Sequence, residues 1–231
     1  MSRRCVLIHT VASLVPVFAE LTRELLPGVD CYNVVDESLL KDAIRDGCLT
    51  PSTMRRTAMQ IMVAEMGGAD AILVTCSSIG PVVDSTRALV SVPLVRVDEP
   101  MAEEAVSIGR RIAVLATLST TLDPTTELIE RTARAAGRSA ELLPLLVEGA
   151  FAALTGGDQE RHDGLIRAAL ERANRTADVI VLAQASMARV ASSTLGSSPT
   201  VPVLSSPRLG VRRIAEILSR SDEAELSSCC R

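Results

Sequence analysis

The sequence predicts an α/β protein of two pseudo-symmetric lobes, each a parallel sheet flanked by helices. Three observations predict it. "ADAILVTCSS" at 69–78 lines up with "ADVIVLAQAS" at 177–186, an offset of 108 residues. "RCVLIHTVAS" at 4–13 lines up with "RIAVLATLST" at 111–120, an offset of 107. "VPLVRVDEP" at 92–100 has a shorter counterpart in "VPVLSSP" at 201–207. Three matches in one order at nearly one offset mark an internal repeat. The expected lobes are residues 1–100 with 208–231, and residues 101–207.

Each copy is expected to follow one course. A strand (5–10; 112–117) leads into a helix (13–26; 123–136) and a second strand (29–35; 140–146). A longer helix follows (52–66; 158–175), then a third strand (70–75; 178–183) and a fourth (93–97; 201–204). The strands are near-continuous Val, Ile and Leu runs, as a parallel sheet covered on both faces requires. In the first helix Leu14, Val17, Phe18, Leu21 and Leu25 recur at helical spacing. In the longer helix Met54, Ala58, Ile61 and Met62 share a face, with Met66 at its edge and Glu65 intruding.

The opening "MSRRCVLIHTVASLVPVFAE" also has the two arginines, apolar run and small residue of an export signal. The repeat favours a buried strand and an amphipathic helix there. No segment reaches the roughly 18 uninterrupted apolar residues of a membrane span. A cytoplasmic protein with no membrane partner is expected.

Composition excludes further classes. The chain of 231 residues is 47% hydrophobic with a formal net charge of −4, and Phe18, Tyr32 and Phe151 are its aromatic residues. A basic surface and stacking rings for nucleic acid are therefore not evident. Lys41, the one lysine, offers weak support for Schiff-base chemistry. Six cysteines without CxxC spacing and two histidines give almost no support for structural zinc, and scattered thiols fit a reducing compartment. Cys5, Cys31 and Cys48 are expected to be structural. Cys229 and Cys230 are expected in a disordered polar tail after the last helix.

Ligands of open parallel sheets bind beyond the carboxyl ends of the strands, so the active site is expected in the cleft between the lobes. Polar residues gather at those ends. In the first copy they are His9 and Thr10, then Cys76, Ser77 and Ser78. In the second copy they are Thr117, Ser119, Thr120 and Thr121, then Gln184, Ala185 and Ser186. Hydroxyls and backbone N–H groups at helix starts suit a carboxylate, although the same hydroxyls also serve as helix caps. His9 could assist acid/base chemistry or simply hydrogen-bond at a strand end. His162 is expected on the surface at a helix start, and Arg55 and Arg56 as solvated helix residues.

With these residues in view, the chain resembles the aspartate/glutamate racemase superfamily, which includes hydantoin racemases, maleate isomerases and arylmalonate decarboxylases. The likeness runs from "VLIHT" to "VPVLSSP". It rests on the order and spacing of "VTCSS", "VDEP", "VLATLSTT" and "DVIVLAQASM". The resemblance implies no cofactor, a small carboxylic acid substrate, chemistry at the carbon next to the carboxylate, and a homodimer or larger homo-oligomer. In the family's racemases one cysteine from each lobe stands on either face of that carbon. Here Cys76 occupies the first position and Gln184 the second. An amide does not exchange protons usefully near neutral pH, whereas a thiol of ordinary pKa about 8.5 can be tuned to do so.

The expectation is therefore one-sided chemistry, with Cys76 as acid/base or nucleophile and Gln184 stabilising charge. His9, Thr10, Ser77, Ser78, Thr117, Thr120, Thr121, Ala185 and Ser186 are the candidate substrate contacts. Decarboxylation, isomerisation by thiolate addition, or racemisation with a base that is not cysteine all fit one thiol. The rivals are a carboxylate-binding protein without catalysis and a thiol hydrolase.

Overall fold

The first apolar run, Arg4–His9, forms strand β1 and is buried from Cys5 onward. It lies inside a four-stranded parallel sheet of order β2-β1-β3-β4, with β2 Asp30–Val35, β3 Ala71–Val74 and β4 Leu94–Arg96. A second parallel sheet repeats the order as β6-β5-β7-β8, with β5 Arg111–Ala116, β6 Glu141–Leu146, β7 Val179–Leu182 and β8 Val203–Ser205. The inner strands β3 and β7 are wholly apolar and covered on both faces, so they are buried at every residue.

The helices in chain order are α1 Val15–Leu25, α2 Glu37–Asp46, α3 Pro51–Met66, α4 Gly80–Thr86, α5 Glu99–Ile108, α6 Ser119–Ala135, α7 Ala150–Thr155, α8 Gln159–Ala173, α9 Ala188–Thr194 and α10 Ser206–Cys229. This computed structural model describes residues 2–194 and 201–229. The chain divides into two units: residues up to Val97 with those from Pro207 onward, and Asp98–Ser206. The helix after each sheet thus belongs to the other unit. Val211, Ile214 and Leu218 of α10 join Cys5, Leu7, Phe18, Leu73 and Val95 in one core, while α5 packs against β7 and α6.

The repeat extends to individual hydrogen bonds. Asp70, just before β3, accepts the Arg4 amide at 2.7 Å. Asp178, just before β7, accepts the Arg111 amide at 2.7 Å and the Arg110 amide at 3.1 Å. In both copies a carboxylate closes the gap between the first and third strands.

Several expectations are corrected. In α1, Val17 is 43% exposed and Thr22 is buried in its place. The buried face of α3 is Thr53, Thr57, Ile61 and Ala64, leaving Met54 and Met66 outside. Small residues let this helix lie close to the sheet, and the Thr57 hydroxyl satisfies itself on the Thr53 carbonyl at 2.9 Å. Helix α6 starts at Ser119 rather than 123, with Pro124 inside it, where the ring supplies no N–H to the preceding turn. Helix α10 runs to Cys229, so that residue ends a helix rather than lying in a tail. Cys230 lies outside the described residues. No helix among the described residues is long and apolar enough to cross a membrane.

Candidate functional site

Strand β3 is followed by Thr75 and Cys76, and the chain turns at once into a short 3₁₀ helix, Ser77–Ile79. Cys76 keeps extended angles, φ −126 and ψ 118, at the capping position of that turn. Its side chain is half-buried. Burial pushes the Cys76 thiol up from its ordinary value, and four donors pull back part of that effect: the Thr10 hydroxyl, the Ile79 and Ser78 amides, and the Ser78 hydroxyl. The resting group is a neutral thiol, with donors in place for a transient anion. Thr10 is buried, and its hydroxyl has no conventional hydrogen-bond partner, which leaves it to face the sulfur. Ser77 and Ser78 are buried in the same turn.

His9 stands behind this group rather than in it. It is fully buried, with Nε2 2.8 Å from Asn33 Oδ1 and Nδ1 2.8 Å from Thr75 Oγ1. Its ring meets Phe18 edge-on at 5.3 Å. Burial lowers the His9 pKa, and the Asn33 contact offsets part of this. His9 is one of the expected substrate contacts, and both its ring nitrogens are engaged within the first unit. A neutral imidazole with both nitrogens engaged joins the ends of β1, β2 and β3.

A second support lies beside the turn. Arg96, at the end of β4, is 2% exposed and pairs with Asp84 at 2.7 Å. Its guanidinium fills the space beside Gly80, where an added Cβ would lie 2.5 Å from Nη2.

The second copy builds the matching place differently. Gln184 has φ −130 and ψ 136 at the capping position of the 3₁₀ turn Ala185–Met187. Its Oε1 accepts the Thr117 amide at 2.6 Å and the Thr117 hydroxyl at 2.9 Å. With the oxygen held, Nε2 is left as a directed donor. Thr117 and Thr121 are buried, Ala185 and Ser186 half-buried, and the Thr120 hydroxyl oxygen is buried without a partner.

Within the first unit Thr10, Cys76, Ser77 and Ser78 therefore come together. Within the second, Thr117 and Gln184 are directly bonded. Sequence reading missed Asn33, Thr75, Gly80 and Arg96. Thr75 stands in "VTCSS" and Asn33 within the half-polar edge strand "DCYNVV", but neither announces a partner locally. Two other residues fall differently from expectation. His162 is fully buried, its Nδ1 2.9 Å from Asp163, which also holds Arg189. Arg56 binds Asp36 at 2.9 Å and Asp42 at 3.0 Å, joining α3 to α2, so it is more than a solvated residue. A cavity of about 580 Å³ lined by Arg4, Tyr32, Met59 and Val63 contains none of the candidate residues.

The sequence profile of the Asp/Glu/hydantoin racemase family matches residues 7–214. The chain belongs to that family. An uncharacterised protein of Schizosaccharomyces pombe is 27% identical over 202 residues, 84% of this chain and 75% of its own. Among solved structures, allantoin racemase from Klebsiella pneumoniae superposes with a TM-score of 0.68 at 17% identity, over 95% of this chain and 89% of its own. Allantoin racemase from Pseudomonas fluorescens gives 0.66 at 23%, over 95% and 92%. Glutamate racemase from Bacillus anthracis gives 0.73 at 14%, over 95% and 82%. At these identities the solved structures establish a shared racemase fold. Family membership makes this chain a racemase-type enzyme.

Proposed function

We propose that the protein is a cofactor-independent enzyme acting at the carbon α to the carboxylate of a small acid, with the Cys76 thiol as its proton-transferring group. The observation that carries this is the setting of the sulfur, desolvated so that it rests protonated, yet faced by two hydroxyls and two amides that favour its anion. Such a thiol is suited to give a proton to an enediolate and to take one back. It is less suited to open a reaction as a free thiolate, which ranks proton transfer above nucleophilic addition. Ser77, Ser78, Thr117, Thr120 and Ser186 would hold carboxylate oxygens. Gln184, its Oε1 fixed by Thr117, would direct Nε2 at the negative charge that develops.

In this reading Gln184 replaces a second thiol, so the proton moves on one face only. Decarboxylation with protonation by Cys76 fits best. Racemisation would require a second base, and the engaged nitrogens of His9 make that residue a poor one. Incubation of small amino, hydroxy and malonic acids in deuterated water tests the reading. Deuterium at the α-carbon, lost in Cys76→Ala, is expected. Binding without exchange or turnover would instead make this a carboxylate-binding protein, and an acyl adduct on Cys76 a hydrolase.

A further inference from the structure

A pair of thiols lies at the opposite end of the first sheet. Cys5 of β1 and Cys31 of β2 are in-register partners on adjacent parallel strands, so both side chains leave the same face. Adjacent strands lie about 4.8 Å apart, within the 4.4–6.8 Å Cα separation that a disulfide spans. Cys5 is fully buried in the core with Phe18, Leu26 and Val211, and Cys31 packs against that core from the edge strand. Cys31 also lines a cavity of about 290 Å³, together with Thr22, Arg23, Leu26, Gly28 and Asn33. One sulfur is thus reachable by a small solute, and the other waits behind it. The pair is separate from the site above, because Cys5 is level with Ala71, five residues and about 16 Å along β3 from Cys76.

The thiols already interact. A hydrogen bond from Cys5 lowers the Cys31 pKa, with burial and Asp30 opposing and the Thr22 hydroxyl assisting. The same contact and burial raise that of Cys5. The more acidic of the two thiols is therefore the one on the cavity side.

We propose that Cys31 and Cys5 form a peroxide-reactive dithiol, with Cys31 as the attacking sulfur and Cys5 as the resolving one. The Cys31 thiolate attacks one oxygen of a small hydroperoxide and breaks the O–O bond. This gives a sulfenic acid on Cys31, and the departing oxygen leaves as water or an alcohol after taking up a proton. The Cys5 sulfur then attacks the Cys31 sulfur and expels hydroxide, which takes the Cys5 proton and leaves as water. Two thiols are oxidised to one disulfide, and one hydroperoxide is reduced. A thiol reductant such as glutathione restores the pair by exchange.

The test is to treat the full chain with one equivalent of hydrogen peroxide, denature it, block remaining thiols with N-ethylmaleimide and digest it with trypsin. Cleavage after Arg4, Arg23 and Lys41 gives peptides 5–23 and 24–41, each holding one cysteine of the pair. A cross-linked 5–23/24–41 species, with the Cys48 and Cys76 peptides still blocked by N-ethylmaleimide, is expected. In Cys5→Ser the reaction should stop at a dimedone-trappable sulfenic acid on Cys31. Should Cys5→Ser fold poorly, the wild-type cross-link decides together with Cys31→Ser, in which Cys5 should stay reduced and be blocked by N-ethylmaleimide; oxidation of Cys5 in that variant would overturn the order of attack. Oxidation of Cys48 or Cys76 before this pair, or blocked Cys5 and Cys31 after treatment, overturns the proposal.

Discussion

Gly80→Ala is the substitution whose cost can be worked most directly. Gly80 has φ −54 and ψ −41, ordinary helical angles, so alanine meets no backbone penalty. At an unconstrained helical position the change would stabilise by about 1 kcal/mol. Here the new methyl would lie 2.5 Å from Arg96 Nη2, 2.6 Å from Cζ and 2.7 Å from Nε, against 3.4–4 Å for an ordinary contact. Arg96 must retreat by almost an ångström from a site where it is 2% exposed. Overpacking costs about 1–3 kcal/mol. Disturbing a buried ion pair costs up to about 3–5 kcal/mol, less here because Asp84 is 25% exposed. After the propensity gain, a net loss of about 2 kcal/mol is expected, or about 4–8 °C in Tm. Urea denaturation of the wild type, Gly80→Ala, Arg96→Met and the double variant reads this directly. The clash should vanish in the Arg96→Met background, leaving only the propensity gain there and giving a coupling of about 3 kcal/mol. A Gly80→Ala protein as stable as wild type, or additive with Arg96→Met, would refute the reasoning.

Further expectations concern the site itself. Gln184→Glu keeps an oxygen for the Thr117 amide and hydroxyl but removes the Nε2 donor. Turnover should fall by about 10²–10³-fold with little change in the denaturation midpoint, and undiminished turnover would remove Gln184 from the mechanism. Thr10→Val deletes a hydroxyl facing the sulfur at nearly constant volume. The pH profile of Cys76 alkylation should move upward, and an unmoved profile would show that the hydroxyl does not reach the thiolate. His9 makes stability fall on acidification. The unfolded histidine takes a proton near pH 6.5, and the buried one only at lower pH, so the unfolded state binds more protons below about pH 7. Denaturant midpoints between about pH 7 and 5 should show this slope, flattened in His9→Gln; an equal slope in that variant would assign it elsewhere.

The repeat was legible because burial forces the same apolar alphabet on both copies. "AILV" and "VIVL" must each fill an inner strand covered on two faces. The ends of those strands were legible too, since a polar residue after such a run has only the sheet edge to occupy. The buried face of α3 was not. Methionine is the more hydrophobic choice, but threonine and alanine were buried because they allow close approach and Thr57 can satisfy its hydroxyl on the backbone. His9 was ambiguous for a related reason. Whether a histidine reacts or braces depends on Asn33 and Thr75, which lie 24 and 66 residues away in the chain. Arg96 was invisible because nothing in "PLVRVDEP" records that a glycine sixteen positions earlier leaves room for a guanidinium.

The trade of closing helices between the two units has a consequence for how the halves depend on each other. A fragment ending after α5 would carry a helix whose sheet is missing and a sheet stripped of Val211, Ile214 and Leu218, each worth about 2 kcal/mol when covered. Neither half is self-sufficient, so severing the chain there should yield two insoluble pieces that recover solubility only when mixed.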